Sequence, residues 1–245
     1  MKYPIKNSRV ELRIPHNGKK IGFAYSEDCL DTYENVGRQI LRSNRFTPNG
    51  DVTASLLYAV YCDQQASEEL EFKEIRNQMR VHGLWVYNRN LWTKEGVYVI
   101  LDSRVKGISK FLNPNQLEEV LEGGQEINSV RFSKDGAAVR FAPRETYKLG
   151  EQTPESLAKD GFIIASCGIE GAEKLGEVAK KFSEPPVVKG SEVDGCQEPK
   201  QKVTFLFVNP FKDYKNRYAA FRNNLCFSGN LWGIEGVSSA FGLIK

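Results

Sequence analysis

Apolar and polar positions alternate strictly at the start of the chain: Val10, Leu12 and Ile14 stand between charged residues, and Ile21, Phe23 and Tyr25 repeat the pattern after Asn17-Gly18. Asn-Gly tolerates the positive φ of a type I′ turn, so this segment predicts a β-hairpin. The period then changes. Tyr33, Val36, Ile40 and Leu41 recur at helical spacing behind Asp31 and Glu34, which are spaced as a capping box. A second helix is expected after Asp51 with Leu56, Leu57, Val60 and Tyr61 inward, and a third from near Ser67 with the stripe Phe72, Ile75 and Met79. Period-2 patterns return at Leu84 to Trp92 and Val97 to Leu101 around Lys94-Glu95-Gly96, predicting a second hairpin.

Further on, Asn113-Pro114 is a helix start with proline at the first helical position, and Gly123-Gly124 stops that helix. A third hairpin is expected at Val130 to Phe132 and Ala138 to Phe141, and a short helix at Thr153-Pro154. The run Phe162 to Ala165 reads as a short apolar strand, followed by a turn at Cys167 to Gly171 and a helix bearing Ala172, Leu175, Val178, Ala179 and Phe182. Val203 to Val208 and Phe241 to Ile244 read as strands. Helices and hairpins mix without a regular βαβ alternation, so the expected class is α+β, with a helix-rich N-terminal half containing β-hairpins and a mixed α+β C-terminal part. The expected division is 1–105, 106–182, a loop or linker at 183–201 rich in proline and glycine, and 202–245, or one continuous domain; 103–113 is a weaker boundary.

From Asp31 to Leu101 the order of three helices and a hairpin resembles winged helix-turn-helix domains. That resemblance implies that the third helix enters the major groove. The helix departs from the requirement: Glu68, Glu69, Glu71 and Glu74 would face phosphate, opposed by Lys73, Arg76 and Arg80.

Composition narrows the function. With 40% hydrophobic and 27% charged residues in 245, the chain is neither disordered nor low in complexity, and no apolar run approaches the roughly 20 residues of a membrane span. No secretory signal is readable at the N-terminus, and the expected location is cytoplasmic. Five cysteines, no two closer than 29 positions, and two isolated histidines give no metal-ligand spacing, so neither a metal nor a cofactor is expected.

The positive charge is segregated. Residues 199–245 hold seven basic and two acidic residues, where a polyanion binder would place its cationic face. Within them Phe211 to Arg222 interleaves rings and cations, the combination that holds single strands by stacking and phosphate contacts. The expectation is therefore a non-catalytic binder of single-stranded nucleic acid or RNA. Lys212, Lys215, Arg217 and Arg222 would contact phosphates, with Tyr214 and Tyr218 as stacking surfaces, and Arg89 and Trp92 would form a second patch. The alternative for the same rings is the buried stripe of a helix or a strand ladder.

Two other functions compete. Cys167, placed where a strand enters a helix N-terminus, would have a lowered thiol pKa and could serve a small-ligand enzyme as nucleophile; the competing reading is a buried core thiol. The third function is a scaffold whose exposed aromatics bind another protein. Trp85, Trp92 and Trp232 could also form a sugar platform, although three tryptophans need no ligand to explain them.

Overall fold

The computed structural model describes residues 9–26, 30–63, 69–134, 138–193, 198–208, 223–233 and 238–244. Its first hairpin joins β1 (Arg9–His16) to β2 (Lys19–Ser26) across Asn17 and Gly18, both at positive φ as a type I′ turn requires. Three helices follow: α1 (Tyr33–Arg42), α2 (Gly50–Cys62) and α3 (Leu70–Val81). The remainder alternates between hairpins and helices. The strands are β3 (Leu84–Trp92), β4 (Gly96–Leu101), β5 (Gln125–Ile127), β6 (Val130–Phe132), β7 (Val139–Pro143), β8 (Gly150–Glu151), β9 (Val187–Lys189), β10 (Lys200–Val208), β11 (Leu225–Leu231) and β12 (Gly242–Ile244). The later helices are α4 (Pro114–Leu121), α5 (Pro154–Leu157) and α6 (Gly161–Ala179). The class is α+β.

Nine strands make one sheet in the order β5-β6-β7-β4-β3-β10-β11-β9-β8, while β1, β2 and β12 make a second, smaller one. Every pairing in the large sheet is antiparallel except β11 with β9. Within residues 183–201 the chain thus supplies β9, hydrogen-bonded between β11 and β8.

Both faces of the central strands are covered, which explains why all nine residues of β3 are buried. Leu84, Val86 and Trp92 join the core formed with α2, α3 and α6, to which Leu12, Ile14 and Phe23 of the small sheet also belong. The alternate residues Trp85 and Tyr87 face α1 with Tyr33, Val36 and Ile40, and Leu91 packs with Leu117 and Leu121 of α4.

Helix starts follow local chemistry. The side chains of Asn49, Asn113, Thr153 and Asp160 each accept a backbone N–H from the first turn that follows. The expected capping box at Asp31 is shifted by one: Thr32 is the N-cap and gives no side-chain cap, while Asp31 accepts from the Thr32 N–H at 2.6 Å.

The expected strand at Phe162 to Ala165 is corrected to the first turn of α6. Asp160 caps it through the Phe162 and Ile163 N–H groups, and a four-residue run buried on every side carries no period that separates helix from strand. Gly168, at φ 69 and ψ 172, kinks this helix halfway. Close approach accounts for a second glycine: a Cβ on Gly50 would sit 2.0 Å from the Ser166 carbonyl oxygen, so only glycine lets α2 meet α6 here.

Candidate functional site

The described part of the molecule offers three places where chemistry collects, and burial separates them. The first surrounds Cys167. Arg140, 4% accessible at its side chain, donates to both Asp51 oxygens at 2.8 and 2.9 Å and to the Ala165 carbonyl at 3.1 Å. Beside it Asn88 donates to the Ser166 carbonyl at 2.9 Å. Cys167 lies within α6, directly before the kink, and not at the end of a strand. Only 1% of it is accessible, and burial, helped by the Asp51 carboxylate, pushes its thiol well above the usual range. A thiol held protonated is a poor nucleophile at neutral pH, so the expected lowered pKa is corrected: burial outweighs the Arg140 charge.

The second place is a polar bridge between the hairpin and the helices. Ser55 of α2 lies 2.8 Å from His16 Nδ1 and accepts from Lys174 Nζ at 2.9 Å, and Lys174 pairs with Glu170 at 2.5 Å. With 2% of Ser55 accessible, the hydroxyl is a fastening and not an attacking group. The His16 pKa is lowered, first by burial and then by the Lys174 charge, against the opposing pull of Asp51 and Glu170. A folded-state value below the unfolded value of about 6.5 stabilises the fold fully above that pH, and the contribution is lost as pH falls through the folded value. Melting temperatures recorded from pH 8 down to pH 5 should therefore fall further for the native protein than for His16→Gln; parallel curves would contradict this.

The groove beside this bridge, about 600 Å³, lies between α5 and α6. Most of its charges are paired: Lys180 reaches Glu177 at 2.7 Å and Glu155 at 3.8 Å, and Lys174 is held by Glu170. This is a self-neutralised, solvated helix surface.

The third place differs in kind. The loop from Asp102 to Leu112 runs between β4 and α4, and buried polar groups hold it from beneath. Asp102 accepts from the Lys106 and Gly107 N–H groups at 2.8 Å each and from the Tyr33 hydroxyl at 3.1 Å. Gln201 of β10 accepts from the Leu112 N–H at 2.9 Å and donates to the Lys110 and Gly107 carbonyls at 3.0 and 3.3 Å. Arg89 of β3 donates to the same Lys110 carbonyl. The clasp is tight enough to hold Val105, a β-branched residue, at φ 52, an unfavourable conformation that persists only where surroundings impose it.

This clasp presents one large apolar side chain outward. Phe111 is 69% accessible and Trp232, just past β11, is 45% accessible; both line one groove of about 500 Å³ with Ile108, Glu198, Pro199, Lys200 and Gln201. The Lys202 ammonium lies 3.2 Å from the centre of the Trp232 ring, a cation–π contact that fixes the indole. The other two tryptophans are interior, their indole N–H groups donated to the Asp31 and Gly229 carbonyls.

The residues expected to bind nucleic acid are distributed as follows. Lys212, Tyr214, Lys215, Arg217, Tyr218 and Arg222 lie outside the described residues. Trp92 is fully buried, with ring centroids 4.8 Å from Phe162 and 5.7 Å from Tyr147. Arg89 is 3% accessible, and burial lowers its pKa against the pull of Asp102. The sequence reading missed Phe111, Trp232 as an exposed anchor, and the supporting Gln201 and Asp102. Among the described residues, no group of three His, Cys, Asp or Glu side chains could hold a metal ion, and no helix is long and apolar enough to cross a membrane.

No family model matches this chain, and no curated protein matches it. A solved structure described as "Accommodation of massive sequence variation in Nanoarchaeota by the C-type lectin fold" is similar in shape, with a TM-score of 0.45 and 14% identity, over 87% of this chain and 94% of that one. The expectation of nucleic-acid binding is corrected at Trp92 and Arg89, which are interior groups that no base or phosphate can reach.

Proposed function

We propose that this chain is a protein-recognition module whose binding surface is the Phe111–Trp232 groove. One observation carries the reading: Phe111, on a loop that Arg89, Asp102 and Gln201 hold from below, and Trp232, just past β11, are exposed rings that line the same groove. Exposed aromatics backed by a rigid scaffold lose little entropy on binding and make the anchors on which interface energy concentrates.

The groove suits a partner's apolar side chain better than a small polar ligand. A small-molecule site needs convergent polar groups to orient its guest, and the Gln201 amide within this one is already bonded to its own loop through both its oxygen and its nitrogen. The second supporting fact is chemical: neither the Cys167 thiol nor the Ser55 hydroxyl has the access that catalysis needs.

The test is selection of displayed peptides on the native protein, followed by competition with Phe111→Ser and Trp232→Ser. Enriched peptides should share an apolar anchor, and each substitution should cost about 2 kcal/mol of affinity, roughly thirtyfold. Phe111→Ser should leave stability within about 0.5 kcal/mol, because its ring is largely in water. Enrichment indifferent to both substitutions would overturn the reading. So would glycan binding that depends on Trp232 while no peptide is selected.

A further inference from the structure

We infer that the Asn17-Gly18 turn is a site of spontaneous covalent modification, where Asn17 converts to aspartate and isoaspartate, and that isoaspartate unfastens the first hairpin from the helices at His16. The only co-reactant is water. The Gly18 nitrogen loses its proton to solvent and bonds to the side-chain carbonyl carbon of Asn17; the amide C–N bond breaks, and its nitrogen takes up a proton and leaves as ammonia. Ring closure within one dipeptide needs no encounter of two molecules. Water then opens the succinimide at either carbonyl. Opening at the side-chain carbonyl gives aspartate in the ordinary main chain. Opening at the main-chain carbonyl gives isoaspartate, in which the chain runs through the side-chain carbon and is one atom longer.

The sequence holds two Asn-Gly pairs, and the structure separates them. Asn17 and Gly18 are both exposed, and a Cβ on Gly18 would meet nothing within 4 Å. They form the whole loop beyond the last ladder pair, His16 with Lys19, and among the described residues neither the Asn17 side chain nor the Gly18 N–H has a hydrogen-bond partner. Bringing the nitrogen to the carbonyl carbon therefore requires only that the hairpin tip leave its φ values of 48 and 72, and local opening takes least free energy at such a tip. Lys19 and Lys20 follow directly, and their charge favours the anion that forms as the ring closes. At Asn49-Gly50 the same atoms are held. The Asn49 side-chain oxygen accepts the Val52 N–H at 3.1 Å as the cap of α2, and Gly50 is buried so close to α6 that its Cβ would stand 2.0 Å from the Ser166 carbonyl oxygen. Asn44 and Asn128 also hold positive φ, but each precedes a residue with a side chain, Arg45 and Ser129, that crowds the attacking nitrogen.

The two products act differently on the hairpin. Asp-Gly suits a type I′ turn as Asn-Gly does, so aspartate leaves the loop intact. Isoaspartate lengthens a two-residue loop whose size fixes the register, and the first pair to shift is His16 with Lys19. His16 is the residue whose Nδ1 lies 2.8 Å from the Ser55 hydroxyl of α2.

The experiment incubates the full chain at mildly alkaline pH, natively and in urea, and follows both asparagines by peptide mass spectrometry, with isoaspartate read by enzymatic methylation of its carboxylate. In the native protein Asn17 should convert, and Asn49 at least about tenfold more slowly, because the start of α2 must open first. In urea the two should convert alike. The isoaspartate form, isolated by chromatography, should melt about 2–4 °C below the native protein, as for the loss of one hydrogen bond, whereas Asn17→Asp melts with the native protein. In a His16→Ala background the same conversion should shift melting by about half as much or less. An Asn17 that stays intact in the native chain, or an Asn49 that keeps pace with it, overturns the modification site. An isoaspartate form that melts with Asn17→Asp, or a shift undiminished in His16→Ala, overturns the coupling through His16.

Discussion

Trp92→Ala should destabilise the protein by about 3–5 kcal/mol, the cost of emptying a large aromatic site in a packed core. The indole is fully buried, packs against Phe162 and Tyr147, and donates its N–H to the Gly229 carbonyl at 2.9 Å. The surroundings are fitted to it: a Cβ on Gly190 would stand only 2.5 Å from the indole edge. Asn90 already donates to the same carbonyl at 3.3 Å, so the loss is chiefly of packing and not of a satisfied acceptor. Trp92→Phe, which keeps a ring in the site, should cost less than half as much. Urea denaturation followed by far-ultraviolet circular dichroism measures both. A surface residue would instead change stability by less than about 0.5 kcal/mol, so the same experiment decides whether Trp92 belongs to the core or to a binding face.

Asp51→Ala should cost about 3–5 kcal/mol, because it removes the carboxylate that meets two nitrogens of the buried Arg140 guanidinium. Asp51 is the carboxylate that meets two guanidinium nitrogens, and Arg140 also donates to the Ala165 carbonyl and lies over the face of Phe132 at 5.5 Å. Since 27% of the Asp51 side chain is accessible, water reaches the vacated position and the lower end of that range applies. Arg140→Leu made in the Asp51→Ala background should recover part of the loss, since it removes the buried charge that Asp51 compensated. Chemical denaturation of the two single variants and the double variant tests this; additive losses would contradict it.

Local chemistry explains which elements were legible. The Asn17-Gly18 hairpin, the Asn113-Pro114 helix start and the Thr153-Pro154 helix each depend on residues within a few positions, so sequence alone marks them. Short strands behave differently. β8 and β9 exist because each is paired to distant segments, and a three-residue piece such as Val187–Lys189 carries too little periodicity to be seen. Phe162 to Ala165 reads as a strand and folds as a helix for the related reason that burial on all sides erases the period.

The groove was hidden by the same non-locality. Residues 103–113 look like a boundary because they lack a period. Their order comes instead from Arg89 on β3 and Gln201 on β10, roughly one hundred residues apart in the chain. Tryptophan type says nothing of exposure: Trp85 and Trp92 went inside, and Trp232 stayed out. Arg89 was singled out for its charge, and its role turned out to be holding the Lys110 carbonyl from within.

Trp232 also supplies the most direct measurement. Acrylamide quenching of tryptophan emission should reach chiefly this indole, since the other two are interior, and Trp232→Phe should remove most of the quenchable signal. Saturation with a tryptophan-free peptide selected on the native protein should reduce quenching to the level of that variant. Quenching unchanged by a bound, saturating peptide would place the partner elsewhere and contradict the Phe111–Trp232 groove as the recognition surface.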